Sequence, residues 1–332
     1  MTIARPLRLI PIAVPKVWGG SSLRGLVADG DAADWPPEDT PIGEAWLVCD
    51  RDERASVVAD GPFAGRTLRG LMLSEEEALL GSARPSADGS FPLLLKLLEA
   101  RQNLSVQVHP DAKAAEALGS TPKDECWYVL DAEPGAEVLL GFTRDGGGAE
   151  FARECSTSAV VDRLERFTVS AGTAVDVPAG TVHSIGAGIA LAEVQNNSNT
   201  TYRIFDWDRP GLDGNMREMH LDEALRSIDY GARPRTPGPL EFEDLSSNRR
   251  ATIHSSDLFR AEVLEVHEAV EMSGGGRPVA LFVLGGSGRL DVGDGEDYLL
   301  AKGTTWLLPA DTPPARILDA SGDLRLLRAT PG

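Results

Sequence analysis

The stretch Leu104–Pro110, LSVQVHP, constrains this chain more than any other. In an extended chain alternate side chains share a face, so Ser105, Gln107 and His109 point one way and Val106 and Val108 the other. Both faces are built to be covered, the valines by a core and the polar row by something it binds. Pro110 then ends the ladder, because it has no N–H to donate. A solvent-facing strand with a surface histidine has the same spacing. What decides between the two is whether the rest of the chain supplies partners for the polar row.

The bulk of the sequence allows such partners. A length of 332 residues accommodates about two domains, and 42% hydrophobic with 25% charged residues is an ordinary globular composition. The formal charge of -19 and a pI near 4.7 argue against nucleic acid or an anionic membrane as partner, since both need a positive field. A phosphorylated ligand therefore needs a local cationic pocket. Three cysteines, Cys49, Cys126 and Cys155, make neither a disulfide framework nor a thiolate zinc site, and fit a reducing cytoplasm. Pro6, Pro11 and Pro15 interrupt the N-terminal segment before a signal-peptide core can form, and no apolar run reaches the length of a membrane span.

Along the chain, RLIPIAV and EAWLVCD are strand candidates in a Gly- and Pro-rich beginning. Thr67–Gly81 has leucines at helical spacing and a capping-box pattern at Ser74–Glu77, which predicts one or two short helices. Phe91–Glu99, FPLLLKLLE, is a dense apolar run with one charge: Lys96 either snorkels out at an edge or sits inside to hold an anion. Asp111–Gly119 predicts a short helix, and Lys123–Leu130 a strand with Lys123, Glu125 and Trp127 on one face. The Gly-rich loop at Gly146 lacks the lysine and hydroxyl of a phosphate cradle, and the spacing after it predicts a helix reaching Arg166. From Thr173 to Arg209 the pattern is β again, with a tight PAGTVH turn, Glu193 and Gln195 on one face, and Arg203 on the following strand. Residues 220–229 predict a short helix, and GARPRTPGP within 231–240 a linker. The remainder, 241–332, reads as all-β. Its KGTTWLLPADTP echoes VSAGTAVDVPAGTVH, with Thr312 and Pro313 standing where Val182 and His183 stand in the first copy.

Many short strands, glycine turns and this duplicated pattern predict a mainly β protein of the jelly-roll or cupin type. Its catalytic part would span 1–230 with short helical insertions, followed by a second, C-terminal cupin-like β-barrel over 241–332. Inside the first barrel the inward candidates are Gln107, His109, Glu125 and His183. Two imidazoles, a carboxylate and an amide oxygen suffice for a divalent metal of zinc type with one open position. Independent capping or surface roles for the four residues fit the same spacing.

The runs FPLLLKLLEARQNLSVQVHPD, KDECWYVL and VPAGTVHSIGAGIALAEVQNNSNTTYRIFDWDR, with the early WGG and IGEAW, resemble the type I phosphomannose isomerases, that is, mannose-6-phosphate isomerases of the short bacterial form. The resemblance covers nearly the whole chain and is strongest over 91–209. It implies a single zinc ion held by Gln107, His109, Glu125 and His183. It further implies Arg203 beside the sugar, Lys123 facing the same cavity, Glu193 as acid or base, and Lys96 and Ser105 lining the pocket for a phosphate or hydroxyl. The chain departs from the usual pattern at Ser184, at Ser198-Asn199 and around Val48 and Cys49, but at no implied ligand.

The implied reaction interconverts mannose 6-phosphate and fructose 6-phosphate through a cis-enediol, with a metal countering charge on the sugar oxygens and a base carrying the proton. Two other classes use similar residues. A noncatalytic sugar-binding or regulatory cupin would keep the barrel without turnover. A cupin oxygenase would use two histidines and a carboxylate on iron, against which stand Gln107 as a fourth ligand and Lys123 and Arg203 as anion holders.

Overall fold

The computed structural model describes residues 3–51, 54–144, 148–155, 157–318 and 321–332. It is mostly β, and every described strand pairing is antiparallel. Two pairs of sheets share the molecule. The first is a seven-stranded sheet ordered Gly238–Pro239, Thr173–Val177, Glu125–Ala132, Ile189–Asn196, Leu93–Ala100, Ile42–Val48, Ile12–Gly20, packed on a five-stranded sheet ordered Leu164–Thr168, Glu137–Phe142, His183–Ile185, Val106–Val108, Tyr202–Phe205. The second pairs an eight-stranded sheet with one of four strands. The eight-stranded sheet takes Asn248–Ser255, Phe259–Val266, Val279–Gly285, Thr305–Leu308 and Leu324–Pro331 from the C-terminal third, but also Leu7–Ile10 and Val57–Val58 from the beginning of the chain.

The parity of the strands explains the dense apolar run around Lys96. On Leu93–Ala100, Leu98 and Ala100 face the interior of the first sheet pair with Trp127, Val129 and Leu191, while Leu93, Leu95 and Leu97 face the opposite way. There they join Cys126, Tyr128, Ala192 and Val194 against Ile253, Ala261, Val263, Phe282 and Leu327 of the eight-stranded sheet. A strand covered on both faces reads as a continuous apolar run rather than an alternation. Truncating Leu95 or Leu97 to alanine removes packing from this shared core, at about 2–5 kcal/mol.

On the outer face of the five-stranded sheet, Val106 and Val108 pack with Phe151, Val160, Val182, Ile204 and Ala224. The helical insertions Ala112–Leu118 and Leu221–Ser227 belong to this layer. Asp111 caps the first of them, accepting the Ala114 N–H at 2.7 Å, and Gly119 ends it in the left-handed region. The helix Leu68–Leu80 is capped by Thr67 and kinks at Glu75. Ser74 there donates to the Gly70 carbonyl, so the predicted capping box does not form.

Two expectations need correction. The helix predicted up to Arg166 is only Ala149–Glu154, followed by a 3-10 turn Ser158–Arg163 and a strand Leu164–Thr168. Edge pairing of Leu164–Thr168 with Glu137–Phe142 overrides the local helical spacing. Gly146 and Gly147 of the loop before it lie outside the described residues. The strand predicted from Lys123 begins at Glu125, with Lys123 in the segment before it. Within the predicted linker, Gly238–Pro239 pairs with Thr173–Ala174, and Arg235 donates to the Ile253 carbonyl; neither contact bears on the predicted domain boundary.

The interior of the second sheet pair is filled by Leu264, Val266, Met272, Leu281, Val283, Leu290, Ile317 and their apolar neighbours. The interior of the first is where polar side chains converge.

Candidate metal centre

Val106–Val108 lies between two other strands of its sheet, so that Gln107 is opposite His183 on one side and Arg203 on the other. Glu125 reaches the same place from the facing sheet, where it starts its strand opposite Gln195 and Val177. His109 follows one residue past the end of its strand, and the Gly180 N–H donates to its carbonyl at 2.8 Å. That contact requires glycine at 180: φ is +83°, and a Cβ would stand 3.0 Å from Asp229 Cβ. The PAG turn thereby delivers His183 beside His109, with ring centroids 4.8 Å apart.

The candidate ligand atoms of His109, Glu125 and His183 lie within 4.8 Å of one another, and all three residues are buried. His109 Nε2 is 3.2 Å from Glu125 Oε2, and His183 Nε2 is 3.2 Å from Glu125 Oε1. Each Nδ1 faces a backbone carbonyl at 2.9 Å, that of Thr200 for His109 and of Thr181 for His183. A carbonyl only accepts, so each Nδ1 carries a proton and each Nε2 is the ring nitrogen left facing the carboxylate. His109 Nε2 accordingly has no hydrogen-bond partner among the described residues. Burial, and then Lys123, push the His109 pKa down to about 3, which keeps the ring neutral. Burial opposes the charge on Glu125, but Lys123 holds its pKa well below the usual carboxylate range. Two inward imidazole nitrogens beside a buried carboxylate fit a divalent cation.

Gln107 Nε2 sits 3.1 Å from His183 Nε2, and its Oε1 accepts from Ser105 Oγ at 3.0 Å. A half-turn of the amide exchanges oxygen and nitrogen at nearly constant shape and brings the oxygen to the centre. Ser105 Oγ would then accept instead of donating. With the Gln107 oxygen the candidate donors would be two imidazole nitrogens, a carboxylate and an amide oxygen, a combination that suits zinc.

Above this floor is a cavity of about 330 Å³ whose walls include Lys16, Glu44, Lys96, Lys123, Glu193 and Arg203. The structure thus gathers all nine residues predicted for the site. Lys96, half-buried, holds Glu193 Oε1 at 2.9 Å and Gln195 Oε1 at 2.6 Å. Burial raises the Glu193 pKa against the pull of Lys96. Burial opposes the Lys96 charge, but Glu193 and then Glu44 raise its pKa. Lys123 Nζ is 2.7 Å from Glu125 Oε2 and buried, not solvated. Arg203 is half-buried, and its Nε has no hydrogen-bond partner among the described residues. A structural pairing of Arg203 with Glu193 or Asp206 does not occur as a hydrogen bond or ion pair: Lys96 occupies the first, and Arg209 and Arg217 occupy the second. Burial lowers the Arg203 pKa, with Arg217 adding to the effect.

Several wall residues escape a reading by motif. Glu44 and Trp46 share a face of IGEAWLV, the alternation that could have marked them; Glu44 accepts from Trp46 Nε1 at 2.6 Å and pairs with Lys16 at 3.1 Å. Burial opposes the charge on Glu44, but Lys16 and then Lys96 bring its pKa down to about 2. Arg217 and His220 come from the loop after the Arg203 strand, and His220 Nδ1 accepts the Arg203 N–H at 3.3 Å. No sequence spacing pointed to them, because only the return of that loop brings them to the cavity.

Comparison with known proteins gives consistent matches. Residues 7–144 match the family model for the phosphomannose isomerase type I catalytic domain. A mannose-6-phosphate isomerase of Streptococcus mutans is 36% identical over 310 residues, covering 92% of this chain and 93% of the relative. The crystal structure of mannose 6-phosphate isomerase from Bacillus subtilis superposes with a TM-score of 0.83 at 29% identity, over 98% of this chain and 99% of that one. A structure described as mannose 6-phosphate isomerase bound with zinc and yttrium shares the fold at a TM-score of 0.73 and 18% identity, over 98% of this chain and 99% of that one.

Proposed function

Because the chain belongs to the type I phosphomannose isomerases, we propose that it interconverts mannose 6-phosphate and fructose 6-phosphate at the cavity above His109, Glu125 and His183, with one zinc ion as cofactor. The observation that carries this reading is the pair of buried imidazoles whose Nε2 atoms each lie 3.2 Å from an oxygen of one buried carboxylate, with each Nδ1 held on a backbone carbonyl. Gln107 completes the ligand set through its amide oxygen.

When bound, zinc supplies Lewis-acid stabilisation of charge on the sugar oxygens at C1 and C2. The chain's own residues do the rest. Glu193 carries the proton between C2 and C1 by way of a cis-enediol; burial raises its proton affinity, and Lys96 holds its carboxylate at 2.9 Å. Arg203, whose Nε has no hydrogen-bond partner among the described residues, lends positive charge to the developing oxyanion or the phosphate. Lys123 adds to that field from beside Glu125. Lys96 and Ser105 line the wall that takes the phosphate or a hydroxyl.

The division into a catalytic cupin domain over 1–230, a linker and a C-terminal cupin-like barrel over 241–332 belongs to the same reading. The substrate is a small phosphosugar, and the net charge of -19 disfavours nucleic acid. No helix among the described residues is long and apolar enough to cross a membrane. Three free, buried cysteines support a cytoplasmic setting.

One coupled assay tests the function: fructose 6-phosphate formation from mannose 6-phosphate, with and without a chelator. Activity lost to the chelator and restored by zinc is the expected result. Activity indifferent to the chelator would remove the metal from the reading, and iron with oxygen consumption would replace it by an oxygenase.

A further inference from the structure

A side chain of the eight-stranded sheet, His254, reaches the segments next to Glu125 and the PAG turn. In Asn248–Ser255 the ladder to Phe259–Val266 slips by one residue between Thr252 and His254. Such a bulge re-aims the side chains beside it, and His254 stands buried in the seam between the two sheet pairs. Its Nδ1 is 2.7 Å from Asp176 Oδ1, and its Nε2 is 3.0 Å from Ser256 Oγ and 3.7 Å from Asp124 Oδ2. Its ring stacks on Phe259, with centroids 4.4 Å apart.

Both aspartates belong to ligand-bearing segments. Asp176 stands opposite Cys126, and the next rung of that ladder is Val177 opposite Glu125. Asp124 sits between Lys123 and Glu125, and its Oδ1 accepts the Ala179 N–H at 2.9 Å, within the turn that leads to His183. The Asp124 N–H donates to Asn196 Oδ1, and that amide donates to the Pro122 carbonyl. One carboxylate therefore joins segment 123–125 to segment 178–183, and an imidazole from the other half of the molecule faces it together with Asp176. Groups behind a metal ligand fix its geometry, and losing one typically weakens binding about tenfold or more.

We propose that His254 is a positioning residue for the metal centre: it fixes Asp124 and Asp176, and through them the spacing of Glu125 and His183. The proposal rests on His109, Glu125 and His183 being metal ligands. It gives the C-terminal half a part in assembling the site beyond packing against it.

The test is zinc affinity of the full-length protein, by competition with a chromophoric chelator, in wild type, His254→Ala, His254→Phe, His254→Gln and Ile253→Ala. Ile253 lies in the shared core, so its truncation loosens the seam without touching Asp124. His254→Ala should bind zinc about tenfold more weakly, and His254→Phe, which keeps an aromatic ring but has no ring nitrogens, should do the same if the alanine variant fails to fold. His254→Gln, which keeps polar atoms, should recover part of the loss, and Ile253→Ala should lose stability but not affinity. Wild-type affinity in His254→Ala or His254→Phe overturns the proposal, as does an equal loss in Ile253→Ala. A wild-type chain that binds no zinc overturns instead the reading of the centre on which the proposal stands.

Discussion

Arg203 stands directly opposite Gln107 across an antiparallel ladder. Neighbouring strands lie about 4.8 Å apart, so the proposed amide ligand and a guanidinium without hydrogen-bond or ion-pair partners among the described residues occupy adjacent places on one sheet. Arg203→Ala should therefore lower turnover by orders of magnitude while leaving the metal content of the purified protein unchanged. Near-normal turnover, or metal lost along with activity, would contradict the role given to it.

Lys123 is the charge partner of a buried carboxylate, at 2.7 Å from Glu125 Oε2. Removing one partner of such a pair leaves an uncompensated charge and costs about 3 kcal/mol or more. Lys123→Met should show that loss in chemical denaturation of the metal-free protein, and a smaller one with zinc bound, since the cation then balances Glu125. Equal losses in the two states would argue against the metal sharing that carboxylate.

Glu44 makes stability depend on acid. Its folded pKa of about 2 lies below its ordinary 4.5, so its contribution is complete above pH 4.5 and is lost as the pH falls toward 2. The contribution at neutral pH is on the order of 3 kcal/mol. Urea denaturation of wild type and Glu44→Gln should show a gap at about pH 7 that shrinks by roughly 2 kcal/mol at about pH 3. A gap of constant size would place the stabilisation elsewhere.

The cysteines should be silent in the native protein. Cys49, Cys126 and Cys155 are all buried and unpaired in disulfides, and burial pushes the Cys49 thiol up to about 12. A maleimide reagent should label none of them until denaturant is added, and then all three. Fast labelling of any one in the folded state would contradict its burial.

The alternation of LSVQVHP and the spacing of Glu193 and Gln195 were legible because a strand's period of two survives folding unchanged. Those rows gave the floor and one wall of the site, and the resemblance supplied the chemistry that spacing left open. The helix expected up to Arg166 failed because an edge pairing outweighed a local propensity. Glu44 was visible in the alternation of IGEAW but was read only as a mark of likeness. Arg217, His220 and His254 carry no local signal at all. Their positions depend on where a loop returns and how a second sheet docks, which are long-range facts that no short window contains.

The pairing of Leu7 with Leu307 bears on how the molecule is made. Synthesis runs from the N-terminus, so Leu7–Ile10 leaves the ribosome long before Thr305–Leu308, the segment it pairs with. Until then the strand that carries Leu7 and Leu9, both buried in the finished fold, has only its short pairing with Val57–Val58. Closure of the eight-stranded sheet is thus a step of high contact order, and a nascent chain stalled before residue 305 carries Leu7–Ile10 with one of its two strand neighbours missing.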